Sequence, residues 1–390
     1  MKIIQFCESY AERGPGITSK KSVEFCKSTL LPMLKHAHDA FSHVGIVGMN
    51  PPATGYFQGQ SFGRHVPKRF QDELLLATKV VQQRGFQFFL GQRQYRIHVV
   101  SLKRRTEAFY QDCIYRIHLW LSLLSHFAPK RCSQHMNVYM YLLPDEKVLP
   151  PKGQGLGVEH VNTAFTTSCA TQTEIHIFRE EEWFKVLIHE TFHNHGLDFS
   201  QNFDVYHDAV QAQLKQCYPA LRSPVLLFES YCEFWALLLH TLLEAFVTSK
   251  QTLKCWTQFQ RMLRIEQTFS QFQCVKVLDH YGLTFTKDVL HFDGRKVFDE
   301  RQSNAFAYYV IKCVMISHCD AFLEWHLAAN GPTLQFAANA TNIRAFCRWL
   351  YPASRDLLVH QKLQAIETVY VESPRMPYHM RRTLRLSAFS

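Results

Sequence analysis

The sequence lacks several patterns that would assign it to common protein classes. Its 12 cysteines include no CxxC pair, which argues against a zinc ribbon and against a thioredoxin-like redox site. It contains no Gly-rich phosphate loop and no internal repeat, so neither P-loop nucleotide binding nor a repeat architecture is indicated. Its first residues contain no long apolar run of the kind that a secretory signal needs. We therefore expect an intracellular protein with reduced thiols.

Positive charge is in excess but is not concentrated. The formal net charge is +10, from 43 Lys and Arg against 33 Asp and Glu. The basic residues stand in short groups such as Lys103-Arg104-Arg105 and Arg381-Arg382, and there is no long basic stripe. A generally basic surface therefore explains the charge better than a nucleic-acid interface. Nucleic-acid binding remains an alternative that a steep salt dependence of binding would reveal.

The composition is that of a folded globular chain, with 47% hydrophobic, 14% aromatic and 19% charged residues. A chain of 390 residues can bury a large core and can form two or three domain-sized units. The patterns along the chain predict an N-terminal helical region, a sheet-bearing lobe with the motif helix described below, a helical lobe and a loosely held basic tail. These regions comprise residues 1–85, 86–200, 201–373 and 374–390.

Apolar periodicity and turn residues predict the secondary structure. Strands are predicted at residues 86–90, 95–100, 136–143, 161–167 and 173–178, with a hairpin turn at Gly91-Gln92. Helices are predicted at residues 23–40, 72–82, 106–127 and 225–247. Loops are predicted at residues 51–56 and 150–157, and a small hairpin is predicted at residues 283–298 within an otherwise helical second half. The last two strands form a predicted hairpin that leads directly into the next helix.

One short motif on that helix carries the clearest chemistry. His189 and Glu190 are followed by His193, which completes the pattern HExxH. Positions i and i+4 lie on one face of a helix, so both imidazoles can bind one tetrahedral Zn²⁺. Glu190 then lies beside the metal, where it can take a proton from the metal-bound water. Zinc is therefore the expected cofactor.

The surroundings of the motif predict a well-defined helix. Glu180, Glu181 and Glu182 are expected in its first turn, where negative charge suits the helix dipole. Gly196 is expected to end the helix. Apolar residues at helical spacing supply a buried side. A metal site is therefore a better interpretation than a chance match on the surface.

A second helix could supply the third protein ligand that a catalytic zinc site needs. Residues 225–247 are mostly apolar, but Glu229, Glu233, His240 and Glu244 interrupt them within one stripe about 60° wide. Buried carboxylates need a partner, and a metal ion would supply one. The same acids would be costly in lipid, so we expect no transmembrane segment. His240 lies about 16 Å along the axis from Glu229 and is interpreted as an ordinary buried histidine.

These two helices resemble those of the zincin metallopeptidases. In the gluzincin branch a later helix supplies a glutamate ligand, and an acid four residues further on orients a zinc histidine in thermolysin-like members. Carried over, Glu229 is the third ligand and Glu233 accepts from an imidazole N–H. Metzincins extend the motif to HExxHxxGxxH. Here Gly196 matches, but Phe199 occupies the ligand position. A metzincin-like peptidase that uses the preceding Asp198 is therefore an alternative.

The resemblance also implies a substrate-binding strand. Zincins pair an edge strand with the substrate backbone, and thermolysin-like members have an Asn-Ala-Phe segment there. Asn162-Thr163-Ala164-Phe165 is similar, with one residue inserted. Asn162 and Ala164 are therefore candidates for substrate binding, and an ordinary polar strand is the alternative of equal weight.

The resemblance further suggests an oxyanion-stabilising side chain, because gluzincins use a His or Tyr for this purpose. Tyr308 and Tyr309 follow the glutamate helix and are candidates by that position alone. Tyr308 is the preferred catalytic candidate of the two, although packing in the core is the more common role for such tyrosines.

The whole resemblance implies a two-lobed α+β fold. A mixed sheet with an edge strand leads into the active-site helix, and a mostly helical lobe follows. The implied activity is zinc-dependent hydrolysis of peptide bonds in a peptide or protein substrate. A non-catalytic binding protein that keeps zinc for stability is the alternative, and a fourth protein ligand in place of water would reveal it. The remainder of the chain resembles uncharacterised proteins of large DNA viruses, which would place it in a host cell or a virion.

Overall fold

Six strands form one mixed sheet in the computed structural model, which describes residues 2–12, 16–49, 66–75, 82–249, 254–291, 295–300, 303–373 and 376–390. The strands are β1 (Val47–Met49), β2 (Gln82–Leu90), β3 (Arg93–Ser101), β4 (His135–Leu143), β5 (Ala164–Thr166) and β6 (Gln172–Arg179). Their order across the sheet is β1-β2-β3-β4-β6-β5. The pairs β3–β4 and β4–β6 are parallel, and the others are antiparallel. The short strand β5 therefore forms one edge.

Fifteen α-helices accompany the sheet in the described residues. The first seven are α1 (Lys2–Tyr10), α2 (Lys20–Val23), α3 (Leu31–Phe41), α4 (Lys68–Leu75), α5 (Glu107–Ser125), α6 (Val158–Val161) and α7 (Trp183–Asn194). The second half contains α8 (Phe203–Cys217), α9 (Leu227–Thr248), α10 (Cys255–His280), α11 (Lys312–Ser317), α12 (Cys319–Asn330), α13 (Ala340–Ser354), α14 (Leu357–Glu372) and α15 (Tyr378–Arg382). Shorter helical segments are the π-helices Glu24–Leu30, Phe285–Val289 and Phe306–Ile311 and the 3₁₀ turn Ser200–Asn202. The predicted α+β class with a mostly helical second half is confirmed.

Most of the predicted elements are present. The hairpin turn at Gly91-Gln92 joins β2 to β3, and the helix predicted at residues 106–127 is α5. The strands predicted at residues 136–143 and 173–178 are β4 and β6, and the helix predicted at residues 225–247 is α9. These elements have strong apolar periodicity and clear turn residues at their ends, which is why local sequence predicts them.

Other predictions differ from the structure. The strand predicted at residues 161–167 is reduced to β5, because the residues before it form α6. The helix predicted at residues 72–82 begins earlier, at Lys68, and is described as far as Leu75; residues 76–81 lie outside the described residues, and Gln82 already begins β2. The hairpin predicted at residues 283–298 is wrong, because a π-helix forms there and Phe298 pairs with Leu221 in an isolated bridge. The loop predicted at residues 51–56 lies outside the described residues.

The motif helix α7 lies between the sheet and the glutamate helix α9. It contacts β5 and β6 on one side and α9 on the other. Its Thr191 Oγ1 accepts a hydrogen bond of 2.8 Å from Trp120 Nε1 on α5. Phe192 packs against Tyr231 and Trp235 of α9. This packing fixes the distance and rotation between the two helices that carry the predicted ligands.

The residues after α15 are not the loose tail that the sequence predicts. Leu384, Leu386 and Ala388 are buried. The N–H groups of Leu386 and Ser387 donate to Glu182 Oε1 at 2.7 and 2.8 Å. The basic composition around residue 381 suggested a solvated segment, but the apolar residues that follow at alternate positions enter the core.

One pair of cysteines contradicts the expectation of reduced thiols. Cys132 and Cys169 form a disulfide with a Cα–Cα distance of 5.0 Å, while ten other cysteines are free and buried. The bond joins the segment before β4 to the turn between β5 and β6. Its cysteines are 37 residues apart in the chain and match no spacing motif, so local sequence does not reveal the pairing.

No single helix among the described residues has the length and apolar character to cross a membrane. Among the same described residues, one pair of consecutive segments, Phe306–Ser317 and Cys319–Asn330, is long and apolar enough when taken together. The two segments meet at an angle of 90°. The predicted absence of a membrane span in the glutamate helix agrees with this finding.

Candidate metal centre

The start of α7 differs from the prediction. The helix begins at Trp183, so Glu180, Glu181 and Glu182 precede it rather than lying in its first turn. Glu182 has a φ of +61°, and its carboxylate is 2.7 Å from the buried ammonium of Lys147. Because burial of a carboxylate is costly without a partner, this pair anchors the chain where it leaves the sheet.

The three predicted ligands converge on one point. His189 Nε2 lies 3.1 Å from Glu229 Oε2 and 3.2 Å from His193 Nε2. The third side of the triangle, from His193 Nε2 to Glu229 Oε2, is 3.7 Å. Tetrahedral ligands about 2.0–2.2 Å from zinc are about 3.3–3.6 Å apart. The donor set and the spacing therefore fit one zinc ion.

The ligand side chains are almost buried but are not sealed off. The exposed fractions of His189, His193 and Glu229 are 5%, 9% and 9%. Nine-tenths burial of three polar residues argues against a chance match of the motif on the surface. The remaining exposure keeps the three residues in contact with solvent, the source of the fourth, non-protein ligand that catalytic zinc sites require.

A glutamate lies behind the first histidine. The distance from His189 Nδ1 to Glu233 Oε2 is 3.1 Å, so the nitrogen that faces away from the ligand point has a carboxylate partner. The other oxygen of Glu233 forms an ion pair with Lys185. Burial alone would raise the pKa of the Glu233 carboxyl, but Lys185 and His189 hold it below its usual range. The contact is the one predicted for Glu233.

An aspartate lies behind the second histidine. The distance from His193 Nδ1 to Asp198 Oδ2 is 2.6 Å, and Asp198 Oδ1 accepts from Ser200 Oγ at 2.9 Å. Asp198 was the alternative third ligand, but it contacts the nitrogen opposite to the one that faces Glu229. The geometry therefore favours Asp198 as a hydrogen-bond partner of His193 rather than as a metal ligand.

Cys232 is a neighbour that sequence reasoning missed. Its Sγ lies 3.6 Å from Asp198 Oδ2 and 3.7 Å from His193 Nδ1. His193, Asp198 and Cys232 form a second group in which atoms that can bind a metal lie close together. That group would use Nδ1 of His193, the nitrogen that faces away from Glu229. The position of Cys232, directly before Glu233 on α9, was the only available signal.

Proton affinities in the cluster are set by mutual pairing. Burial lowers the pKa of His193, but Cys232, Asp198 and Glu229 outweigh it and raise that pKa well above its usual value. Burial raises the pKa of Glu229, but His193 and His189 more than offset it and hold it below its usual range. A metal ion that binds here therefore competes with protons for the imidazoles.

Glu190 differs from the other acids of the site. It is buried, and that burial, with a smaller contribution from the Glu229 charge, raises the pKa of its carboxyl above the usual value. A carboxyl with a raised pKa can accept and release a proton near neutral pH more readily than an ordinary one. Its place in the motif next to His189 is the one predicted for a general base.

Tyr308 reaches the site from a π-helix. Its hydroxyl donates to Glu229 Oε2 at 2.8 Å, and its ring centroid is 5.8 Å from that of His189. Its neighbour Tyr309 turns away and donates to the carbonyl of Leu384. π-Helical turns often occur at functional sites. The structure thus separates the two candidate tyrosines and brings Tyr308 to the predicted metal ligands.

The edge strand β5 runs beside α7. The Phe178 N–H donates to the Thr163 carbonyl at 3.0 Å. Because hydrogen bonding alternates along an antiparallel pair, the backbone groups of Ala164 and Thr166 point away from β6 to the outer edge. Ala164 therefore lies where a substrate strand could pair with it.

Asn162 is not on that strand. It follows the last turn of α6 as its C-cap, and its backbone carbonyl accepts from Arg179. The inserted residue relative to the Asn-Ala-Phe pattern shifts it out of the strand. Its strand position was predicted wrongly, and its role in substrate binding stays a prediction.

The remaining polar residues of the α9 stripe are remote from this cluster. His240 is buried, and its Nε2 is 3.7 Å from Glu244 Oε1. Glu244 forms an ion pair with Arg116 of α5. His240 therefore lies away from the predicted ligands, as expected, but its buried Nδ1 has no hydrogen-bond partner among the described residues. One end of the stripe, at Glu229 and Glu233, therefore belongs to the predicted metal site, and the other, at His240 and Glu244, contacts α5 through Arg116.

The geometry is the basis for any functional assignment of this centre. Comparisons with models of protein families, with curated proteins and with solved structures found no match to the chain. The atoms, distances and burial of the site are therefore what supports its chemistry.

Proposed function

We propose that the protein is a zinc-dependent, gluzincin-like peptidase in which His189, His193 and Glu229 bind the metal. The convergence of their three ligand atoms within 3.1 to 3.7 Å carries the proposal. Glu233 and Asp198 strengthen it, because metal-ligating histidines usually donate their second N–H to a carboxylate or carbonyl.

The order of the elements also supports a zincin-like fold. An edge strand, β5, pairs with the strand β6 that leads into α7, and α7 packs on the later helix α9. In the zincin group this order places the edge strand along the substrate cleft. Ala164 and Thr166 would then pair with an extended peptide through their backbone groups.

The reaction we infer is hydrolysis of a peptide bond. Zinc held by His189, His193 and Glu229 would supply a Lewis acid that acidifies water and activates the scissile carbonyl. Glu190 accepts a proton from the attacking water and delivers it to the leaving amine. The Tyr308 hydroxyl turns from Glu229 toward the developing oxyanion and donates to it.

The role of Glu190 is tested by the substitution Glu190→Gln. We expect about one zinc per chain to be retained and turnover to fall by about 10²- to 10⁴-fold, because only proton transfer is removed. Zinc content by atomic absorption and hydrolysis of a quenched-fluorescence peptide library measure the two effects. The exposed Glu107→Gln is the control and should behave as the parent. Equal turnover by Glu190→Gln and the parent would exclude Glu190 as the base.

A closed, non-catalytic zinc site is the second candidate, and the Tyr308 contact favours it. The Tyr308 hydroxyl lies 2.8 Å from Glu229 Oε2, so it could serve as a fourth protein ligand instead of an oxyanion donor. The substitution Tyr308→Phe separates the two roles. A peptidase should keep its zinc affinity and lose turnover by about 10²- to 10³-fold. A closed site should instead lose zinc affinity.

A further inference from the structure

Two buried Lys–Glu ion pairs are found next to α7. Lys147 pairs with Glu182 at its start, with side chains 1% and 0% exposed. Lys185 pairs with Glu233, with side chains 1% and 2% exposed. The two pairs have the same charges and nearly the same burial. Only the second touches a predicted metal ligand, because Glu233 Oε2 is 3.1 Å from His189 Nδ1.

Burial of such pairs needs a reason beyond stability. Removing two charges from water is expensive, and an apolar pair of similar size is often equally stable or more so. Lys185 and His189 are four residues apart on α7 and therefore share one face of the helix. Glu233 reaches this face from α9 and contacts both side chains, one with each oxygen. Through the ion pair, the Nδ1 side of the His189 imidazole is connected to both α7 and α9.

The orientation of Glu233 depends on this ammonium. Its Oε1 is paired with Lys185 and its Oε2 faces His189, so both oxygens are in use and rotation of the carboxylate would break a buried contact. Without the Lys185 ammonium, Oε1 would lose its partner in the interior, where an uncompensated charge is costly. Only the contact of Oε2 with His189 would then hold the carboxylate in its orientation.

We propose that Lys185 is a positioning residue of the metal centre. Its ammonium holds the Glu233 carboxylate, and that carboxylate fixes His189 with Nε2 directed at the ligand point. The proposal rests on the metal-binding part of the proposed function, but Lys185 belongs neither to the HExxH motif nor to the glutamate pair that follows it. It extends the centre by one further residue along α7.

The test is a double-mutant cycle on zinc affinity in the full chain, measured by competition with a chromophoric chelator. Lys185→Met and Glu233→Gln should each weaken zinc binding by about 10- to 100-fold. The combined variant Lys185→Met/Glu233→Gln should be no weaker than the worse single variant, because both act through the same contact. Independent, multiplying losses would overturn the proposal.

The matched control is Lys147→Met. It breaks an equally buried pair beside the same helix but leaves His189 untouched, so its zinc affinity should stay within about 2-fold of the parent. The absorption spectrum of the cobalt-substituted protein gives a second readout. It should change in Lys185→Met, because the imidazole moves, and stay unchanged in Lys147→Met. Equal effects of the two substitutions on affinity and spectrum would show a merely structural role.

A second pair of substitutions and the behaviour of the parent distinguish a failure to fold from a loss of function. If Lys185→Met does not fold, Lys185→Gln/Glu233→Gln removes both charges and should match Glu233→Gln in zinc affinity; a clearly weaker double variant would overturn the proposal. A parent that binds zinc tightly but hydrolyses no peptide would refute the peptidase and leave the role of Lys185 intact. A parent that binds neither zinc nor cobalt would overturn both.

Discussion

The two histidines of the centre carry the same chemistry but are held in different ways. His189 has Glu233 behind it, a residue of another helix that is itself paired with Lys185. His193 has Asp198 behind it, a residue of the turn that directly follows its own helix. One imidazole is therefore held by tertiary packing and the other by local chain geometry.

This difference shows which part of the centre depends on the whole fold. The contact behind His193 can form once α7 and its turn are in place. The contact behind His189 forms only when α9 docks on α7, and the same docking brings Glu229 to both imidazoles. The complete donor set is therefore a property of the helix pair, and metal binding should stabilise that pair.

The largest effect should follow removal of the residue that the two histidines share. Glu229→Gln should weaken zinc binding by more than about 100-fold, because it removes one of the three proposed protein ligands. This loss exceeds the range of about 10- to 100-fold that is typical for residues that only hydrogen-bond to a ligand. Chelator competition measures this loss. Glu244→Gln on the same helix is the control and should bind zinc as the parent does. If Glu233→Gln proves the more damaging change, the two glutamates have been assigned in the wrong order.

A smaller effect should distinguish Glu233, which contacts His189, from Asp198, which contacts His193. Glu233→Gln and Asp198→Asn should each weaken zinc binding by about 10- to 100-fold. Glu233→Gln should also lower the free energy of unfolding by about 3–5 kcal/mol, because it leaves the buried Lys185 without its anion.

The loss for Asp198→Asn should be about 1–2 kcal/mol, because an amide can keep part of the hydrogen bonding. Urea unfolding of the metal-free variants measures the difference. A zinc affinity for Asp198→Asn below that of Glu229→Gln would instead make Asp198 the ligand and favour the metzincin-like alternative.

The smallest effect should come from Cys232, which contacts Asp198 and Nδ1 of His193 but not the point where the three predicted ligand atoms meet. Its thiol is a weak donor to Asp198 at 3.6 Å, so Cys232→Ala should weaken zinc binding by about 2-fold. Cys232→Ser restores a donor and should return the affinity to that of the parent. A loss of about 100-fold in Cys232→Ala would mean that the group of His193, Asp198 and Cys232 holds the metal instead.

The sequence predicts those parts of the site that have a periodic signal. HExxH on a helical pattern places His189, Glu190 and His193, and the acidic stripe on an apolar helix places Glu229 and Glu233. Both signals are local, because each depends only on spacing within one helix. Their convergence needed the fold, since nothing in the sequence states the angle at which α7 and α9 meet.

Contacts between distant segments explain the failures. Asp198 was considered only as a ligand, because its distance from His193 in the chain does not reveal which imidazole nitrogen it meets. The disulfide between Cys132 and Cys169 depends on the pairing of strands and has no spacing motif. The strand position of Asn162 was wrong because a short helix precedes β5. The choice between Tyr308 and Tyr309 depended on a π-helix that periodicity does not show.

The packed segment after α15 has a consequence for the order of events during synthesis. Glu182, just before α7, accepts from the N–H groups of Leu386 and Ser387. Glu266 likewise accepts from the N–H of Ala388. While these residues are still inside the ribosome, Glu182 has Lys147 as a partner but lacks its two backbone donors, and Glu266 lacks the Ala388 N–H. The start of the helix that carries HExxH therefore reaches its final surroundings only after Leu386 and Ser387 have left the ribosome.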